Sequence, residues 1–157
     1  MTVTTGPGWD RLAAAMARIP KEVIRHFRNV PLFASVSERG LRALIEAADE
    51  ITEPAGKVLV KEGQHRRELF VITSGSVKVT KRGRRLNTLG PGDFFGEIAL
   101  LSGGPRTATC TAETDVSVMI VNPTRFGVVL DGEPQVRHAV LHALGERLRT
   151  LEKGTID

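Results

Sequence analysis

The chain has 157 residues, 22 Lys and Arg against 18 Asp and Glu, and one cysteine, Cys110. That length suits a single domain with one core, the lone thiol excludes an internal disulfide and fits a reducing compartment, and no apolar run approaches the roughly 18 residues that span a bilayer. A net charge of +4 carried by basic residues spread along the chain, with no tyrosine and 4% aromatics, reads as a solvated surface, with neither a nucleic-acid footprint nor a stacking platform for single strands.

Leu12 to Met16 is short and interrupted by charge on both sides, so it lacks the apolar core of a signal peptide. A cytoplasmic protein with neither membrane nor nucleic acid as partner is therefore expected. Residues Met1 to Gly8 carry no functional signal. Trp9, Leu12, Ala13 and Met16 fall at helical spacing up to Pro20, which predicts a short helix over Trp9 to Arg18. A second helix, Lys21 to Arg28, collects Val23, Ile24 and Phe27 on one side. After the turn at Pro31, Ser37 is a plausible N-cap for a helix whose buried stripe is Leu41, Leu44, Ile45 and Ala48.

Beyond Ala48 the period shifts from 3.6 toward 2, and segments of four to six residues alternate with Gly, Pro or Asn turns. Strands are predicted near Glu50 to Glu53, Lys57 to Lys61, Glu68 to Ile72, Ser76 to Lys81, Arg84 to Leu89, Arg106 to Glu113 and Asp115 to Val121. So many short strands with tight turns indicate a roll or barrel. The run Lys81 to Arg85 reads as a solvated hairpin tip that protects a sheet edge, with docking of an acidic partner as the other reading.

The stretch GDFFGEIALLSGGPRTAT, Gly92 to Thr109, differs from the rest. Glu97 to Leu101 is long enough for about one and a half helical turns, and the N–H groups at its start have no intrahelical partners, so they attract an anion. Nine residues after Glu97, past a Gly-Gly-Pro turn, Arg106 can fold back to that end with a planar set of donors suited to phosphate, and Thr107 adds a hydroxyl. Glu97 would repel the same anion unless it accepts hydrogen bonds from neutral groups of the ligand, such as sugar hydroxyls. A ligand with one phosphate and a ribose satisfies all three residues. The plainer alternative is a turn crossing the end of the roll, with Arg106 simply paired to Glu97.

Cys110 alternates with Ala108 and Ala112 and has no adjacent His or Lys to lower its pKa, so it reads as core filler. Asn122-Pro123-Thr124 opens a helix through Leu130 that Asp131-Gly132 stops. The last helix, Glu133 to about Glu152, carries a seam of Leu141, Leu144, Leu148 and Leu151 that could pack on the roll, pair with a twin helix in a homodimer, or do both. His138, His142 and Glu146 recur every four residues but lack a fourth ligand, so a partly solvated face is expected there and no metal.

The run FGE-I-A-L-L…PR-T-A-T resembles the phosphate-binding cassette of the cyclic-nucleotide-binding domain family, the module of bacterial catabolite activators, of kinase regulatory subunits and of nucleotide-gated channels. The likeness extends from about Val30 to Leu151 and takes in the PAGKVLVKEGQ and LFVITSGSVKV segments, where Gly75 lets two backbones approach closely. It implies a ligand, cAMP or cGMP, whose phosphate is held by Arg106 and Thr107, whose 2′-hydroxyl is held by Glu97, and to which Gly96, Ile98 and Ala99 offer backbone groups. Val79 and Leu89 are implied to face the purine. Arg147 would cap the base, with Leu151 closing over the ring. Asn87 is polar where relatives are often apolar, and Thr107 fits acceptance of cGMP, so both bases stay open.

The fold expected is α+β: an antiparallel, jelly-roll-like β-roll with N-terminal helices, an inserted phosphate-binding helix and C-terminal lid helices. Residues 1–29 would be a helical segment and 30–157 the nucleotide-binding domain. By resemblance this is a sensor, and nucleotide draws the cassette inward and swings the last helix over the base. No enzyme is expected and no cofactor. Ten residues follow Arg147, too few for a winged DNA-binding domain, so a stand-alone sensor or a regulatory piece acting on an unidentified effector protein or domain is expected. The rivals are a nonbinding interaction module of the same fold and a cupin-like metal enzyme. The second should show paired His on adjacent strands, whereas all four His lie outside the predicted ones.

Overall fold

The computed structural model describes residues 19–156, with side chains placed except at 147 and 150–156. The helix expected over Trp9 to Arg18 and the side chains of Arg147 and Leu151 lie outside the described residues. Helix α1 (Lys21–Arg28), a 3-10 turn (Pro31–Phe33) and α2 (Glu38–Glu46) precede eight strands; α3 (Glu97–Ser102) is inserted among them, and α4 (Pro123–Gly132) and α5 (Pro134–Ile156) follow. Two caps are those the sequence calls for. The Gly40 N–H donates to Ser37 Oγ at 3.1 Å, and the Arg125 N–H to Asn122 Oδ1 at 2.8 Å with Pro123 in the first turn.

The strands are β1 (Asp49–Glu53), β2 (Val58–Val60), β3 (Leu69–Ser74), β4 (Val77–Lys81), β5 (Arg84–Leu89), β6 (Phe94–Phe95), β7 (Thr109–Ala112) and β8 (Val116–Val121). They form two antiparallel four-stranded sheets in the orders β1-β8-β3-β6 and β2-β7-β4-β5. Strand β3 is apolar without alternation because both of its faces are covered. Leu69 and Val71 join the helices in one core with Phe27, Leu41 and Phe126, while Phe70 and Ile72 fill the roll with Val77, Val116 and Val118.

Three expectations are corrected. Arg106 to Ala108 are not strand, because Arg106 is paired instead to the loop before β3: its N–H donates to Gln64 O and its carbonyl accepts from the Gly63 N–H, both at 2.8 Å. Phe94–Phe95 is an additional strand, two residues long and pairing with Phe70 and Val71. The last helix continues to Ile156. Among the described residues no helix is long and apolar enough to cross a membrane.

Gly75 turns β3 into β4 at φ +89°, and a side-chain carbon there would overlap the Asp115 carbonyl oxygen and press on Val116. Gly83, at φ +79° in the β4–β5 hairpin, faces open space. Gly75→Ala should therefore lose about 2–5 kcal/mol, from strain plus overlap, and Gly83→Ala only about 1–2 kcal/mol from strain. Urea denaturation of the two variants measures the difference, and equal losses would contradict the close approach.

Candidate functional site

A cavity of about 680 Å³ opens between the β2-β7-β4-β5 sheet and α3, lined by the cassette residues Gly96, Glu97, Ile98, Ala99, Arg106 and Thr107 and by Val79 and Leu89. Its apolar floor follows from strand register. Val60 pairs with Cys110, Cys110 with Val79, and Val79 with Asn87, and all four line the cavity. An apolar row across three strands thus ends in an amide on the fourth. Asn87, whose direction the sequence leaves open, is at the wall.

The arginine is 7% exposed. Its Nη2 donates to the Glu68 carbonyl at 2.6 Å and stands 3.8 Å from Glu68 Oε1, and its Cζ lies 5.9 Å from the centroid of the Phe70 ring. That ring is itself stacked on Phe95, centroids 4.6 Å apart. Nη1 sits so close over Gly96 that a side-chain carbon at this residue would collide with it, and Gly96 is in the left-handed region at φ +88°. The head group therefore points at the start of α3, as expected. Nε is buried without a hydrogen-bond partner. A buried donor beside a cavity without an acceptor is a group whose hydrogen bond the described side chains leave unmet.

The pairing considered from sequence, Arg106 with Glu97, gives way to Arg106 with Glu68. Glu97 is 4% exposed, and its Oε2 accepts from the Leu32 N–H at 3.0 Å, a contact between residues 65 positions apart. Neither Glu68 nor Leu32 carries a sequence signal toward this site, because the first acts partly through its carbonyl and the second through its amide. Burial pushes the Glu68 carboxyl up, but hydrogen bonds from Arg66 and from its own N–H, with the charges of Arg66 and Arg106, hold it below the usual range. Burial lowers the Arg106 pKa against the opposing charge of Glu68.

The helix α5 packs on the 3-10 turn and on α4, and among the described residues none of its side chains lines the cavity. Of its seam, Leu144 is half-buried, while Leu141 and Leu148 are 62% and 64% exposed. His138, His142 and Glu146 are exposed, and no group of three metal-ligating side chains occurs among the described residues. The β4–β5 hairpin tip leans on the loop before β3 through a bond from the Arg82 N–H to Glu62, while Arg85 is paired to Glu113.

Residues 51–133 match the family described as Cyclic nucleotide-binding domain. A cGMP-dependent protein kinase of Toxoplasma gondii is 34% identical over 123 residues, 78% of this chain and 12% of the kinase. The N-terminal domain of a transcriptional regulator from Streptomyces coelicolor superposes with a TM-score of 0.78 at 33% identity, over 82% of this chain and 95% of that one. The regulatory domain of Toxoplasma gondii PKA, crystallised with cAMP, superposes at 0.64 with 28% identity, over 79% of this chain and 46% of that one. This chain spans less than two thirds of the length of the full-length relatives it matches.

Cys110 is core filler that also floors the cavity. Burial drives its thiol up to about 11 and the charge of Arg106 only partly opposes this. At pH 8 the thiolate is then about one part in a thousand, so alkylation by iodoacetamide should run at least ~100-fold slower than for an unstructured cysteine peptide. Mass-spectrometric alkylation rates measure this, and peptide-like reactivity would show that the thiol is not buried as described.

Proposed function

This chain belongs to the cyclic nucleotide-binding domain family, and from that premise we propose that it is a sensor that binds a cyclic purine nucleotide, cAMP or cGMP, and conveys occupancy to its C-terminal helix. The observation that carries the reading is Arg106, a buried cation with an unpartnered Nε in the wall of a cavity whose floor is apolar. A monoanionic phosphate suits the guanidinium, and a purine suits Val60, Val79, Leu89 and Cys110. Glu97 would hold the ribose 2′-hydroxyl while the Leu32 N–H fixes its orientation. Thr107 and the backbone at Gly96, Ile98 and Ala99 would complete the phosphate's surroundings.

Base preference rests on Asn87 and Thr107, the two uncharged polar side chains of the cavity lining, and either base has a partner there. Arg147 and Leu151 would close over the base from the last helix. The domain would span residues 30–157, with 1–29 as an added helical segment. Its effector is a further protein or domain, and no catalytic role is proposed. Pairing of two copies along Leu141 and Leu148 is a second use of the same helix, favoured by the exposure of both leucines.

Titration calorimetry tests the site. Removing a charged hydrogen-bonding partner costs about 1.5–3 kcal/mol, so Arg106→Ala should weaken cAMP or cGMP binding at least roughly tenfold. Equal affinity of variant and wild type would remove Arg106 from the site. A wild type whose melting temperature is unmoved by millimolar nucleotide would favour the nonbinding interaction module.

Coupling to the helix has its own readout. Leu32 belongs to the 3-10 turn that packs on α5, so the Glu97 contact joins the cavity to that helix. Nucleotide should slow amide exchange across Leu141 to Leu148, and the slowing should be lost in Glu97→Ala at saturating ligand. Protection confined to the cassette would separate binding from helix movement.

A further inference from the structure

Helix α3 has only six residues, and its terminal carbonyls need partners from elsewhere. One is supplied by an exposed side chain that plays no part in the cavity wall. Arg67 Nη2 donates to the Leu101 carbonyl at 3.2 Å. The rest of that side chain lies flat on Gly103, where an added side-chain carbon would stand 3.3 Å from Nε and 3.4 Å from Cδ. Arg67 forms no ion pair among the described residues, since the adjacent carboxylate of Glu68 is taken by Arg66 at 3.1 and 3.2 Å. Its charge faces the negative end of a helix instead.

The next residue, Glu68, holds the Arg106 guanidinium through its carbonyl, and Gly63 and Gln64 hold the Arg106 main chain. One segment, residues 63–68, therefore grips the cassette at both ends. Between those ends run Gly103 and Gly104, at φ +72° and +93°, and then Pro105. Gly104 has no neighbours where a side chain would be. Two glycines in succession leave the path from helix to Arg106 poorly determined by local preference, so it has to be set by what holds each end.

We propose that Arg67 is a positioning residue for the anion site: it pins the C-terminal end of α3 and so fixes where the Gly103–Pro105 turn delivers Arg106. This rests on the nucleotide-binding reading, and it adds a residue that touches no ligand. Lysine at this position keeps the charge and a donor for the carbonyl while losing the flat packing on Gly103.

The test uses the full chain with Arg67→Ala and Arg67→Lys and has two arms. Without ligand, Arg67→Ala should speed exchange of the Gly103 amide, which donates to the Ala99 carbonyl and closes the C-terminal end of α3, about tenfold, while β3 and β8 amides and the melting temperature stay as in wild type. With cAMP and cGMP as probes, the same variant should bind about threefold or more weakly, chiefly through faster dissociation, and Arg67→Lys should recover to within about twofold of wild type. Unchanged cassette exchange in Arg67→Ala would overturn the clamp. Faster exchange with unchanged dissociation constants, or no recovery in Arg67→Lys, would overturn the positioning role. If wild type itself binds neither nucleotide, the functional reading and the positioning role fall together, and the exchange arm still decides the clamp.

Discussion

A guanidinium held out of water against a glycine is the constraint from which the rest of this structure follows. Desolvating a charge costs several kcal/mol even after relaxation, and it persists only where the surroundings answer it. Here they answer in part. Arg106 has a carbonyl, a carboxylate at 3.8 Å and the face of Phe70, while Nε is left without an acceptor. A buried N–H in that condition costs about 1–3 kcal/mol. The cavity wall thus holds a partly satisfied cation in fixed geometry.

The scaffold is arranged to keep that geometry. Strand β3 is buried on both faces, anchored in two cores at once, and Glu68 sits at its entry, so the carbonyl that holds Arg106 belongs to a rigid part of the chain. Phe70, two residues on, supplies the ring beneath the guanidinium, and the short strand β6 brings Phe95 to stack on it. Gly96 follows β6 directly and accepts the positive φ that lets α3 begin under the arginine. Each of these residues is apolar or backbone in its contribution. Among the described residues the charges of Glu68 and Arg66 act on the cation, and the Arg66 pairing takes up much of the carboxylate, so Glu68 steadies Arg106 without neutralising it.

What could be read from the sequence divides along a physical line. Features encoded by residues near in sequence were legible: the Ser37 and Asn122 caps, the helices they start, the strands set by period 2, and a cassette whose arginine folds back over nine residues, while the close approach at Gly75 followed only from the family resemblance. Features that depend on main-chain groups from elsewhere were not. Leu32 offers an amide and Glu68 a carbonyl, and an amide or carbonyl is present at every position, so residue identity gives no sign of it. Strand β6 was hidden for a related reason: two phenylalanines are too few to show alternation. Arg106 to Ala108 read as the start of the strand that begins at Thr109, yet the partner Arg106 finds is a loop. The direction of Asn87 required cross-strand register, which only the sheet supplies.

The same main-chain contacts determine how a change in the cavity can travel. Glu97 and Leu32 are 96% and 99% buried, and their hydrogen bond crosses from the cassette to a turn packed among aromatic rings. Phe33 in that turn stacks near Phe27 of α1, centroids 6.3 Å apart, and meets Phe126 of α4 at 6.2 Å. Close-packed rings do not yield by small amounts, so a displaced Leu32 either holds the turn in place or forces the group to a second packing. A ligand can favour the second packing only by the difference in its affinity for the two. Glu97 is placed to create such a difference, because the carboxylate oriented by Leu32 is also part of the cavity wall. Under the proposed reading, a ligand hydroxyl that binds that carboxylate in only one packing would bias the turn, and the helix resting on it, by no more than the energy of that bond.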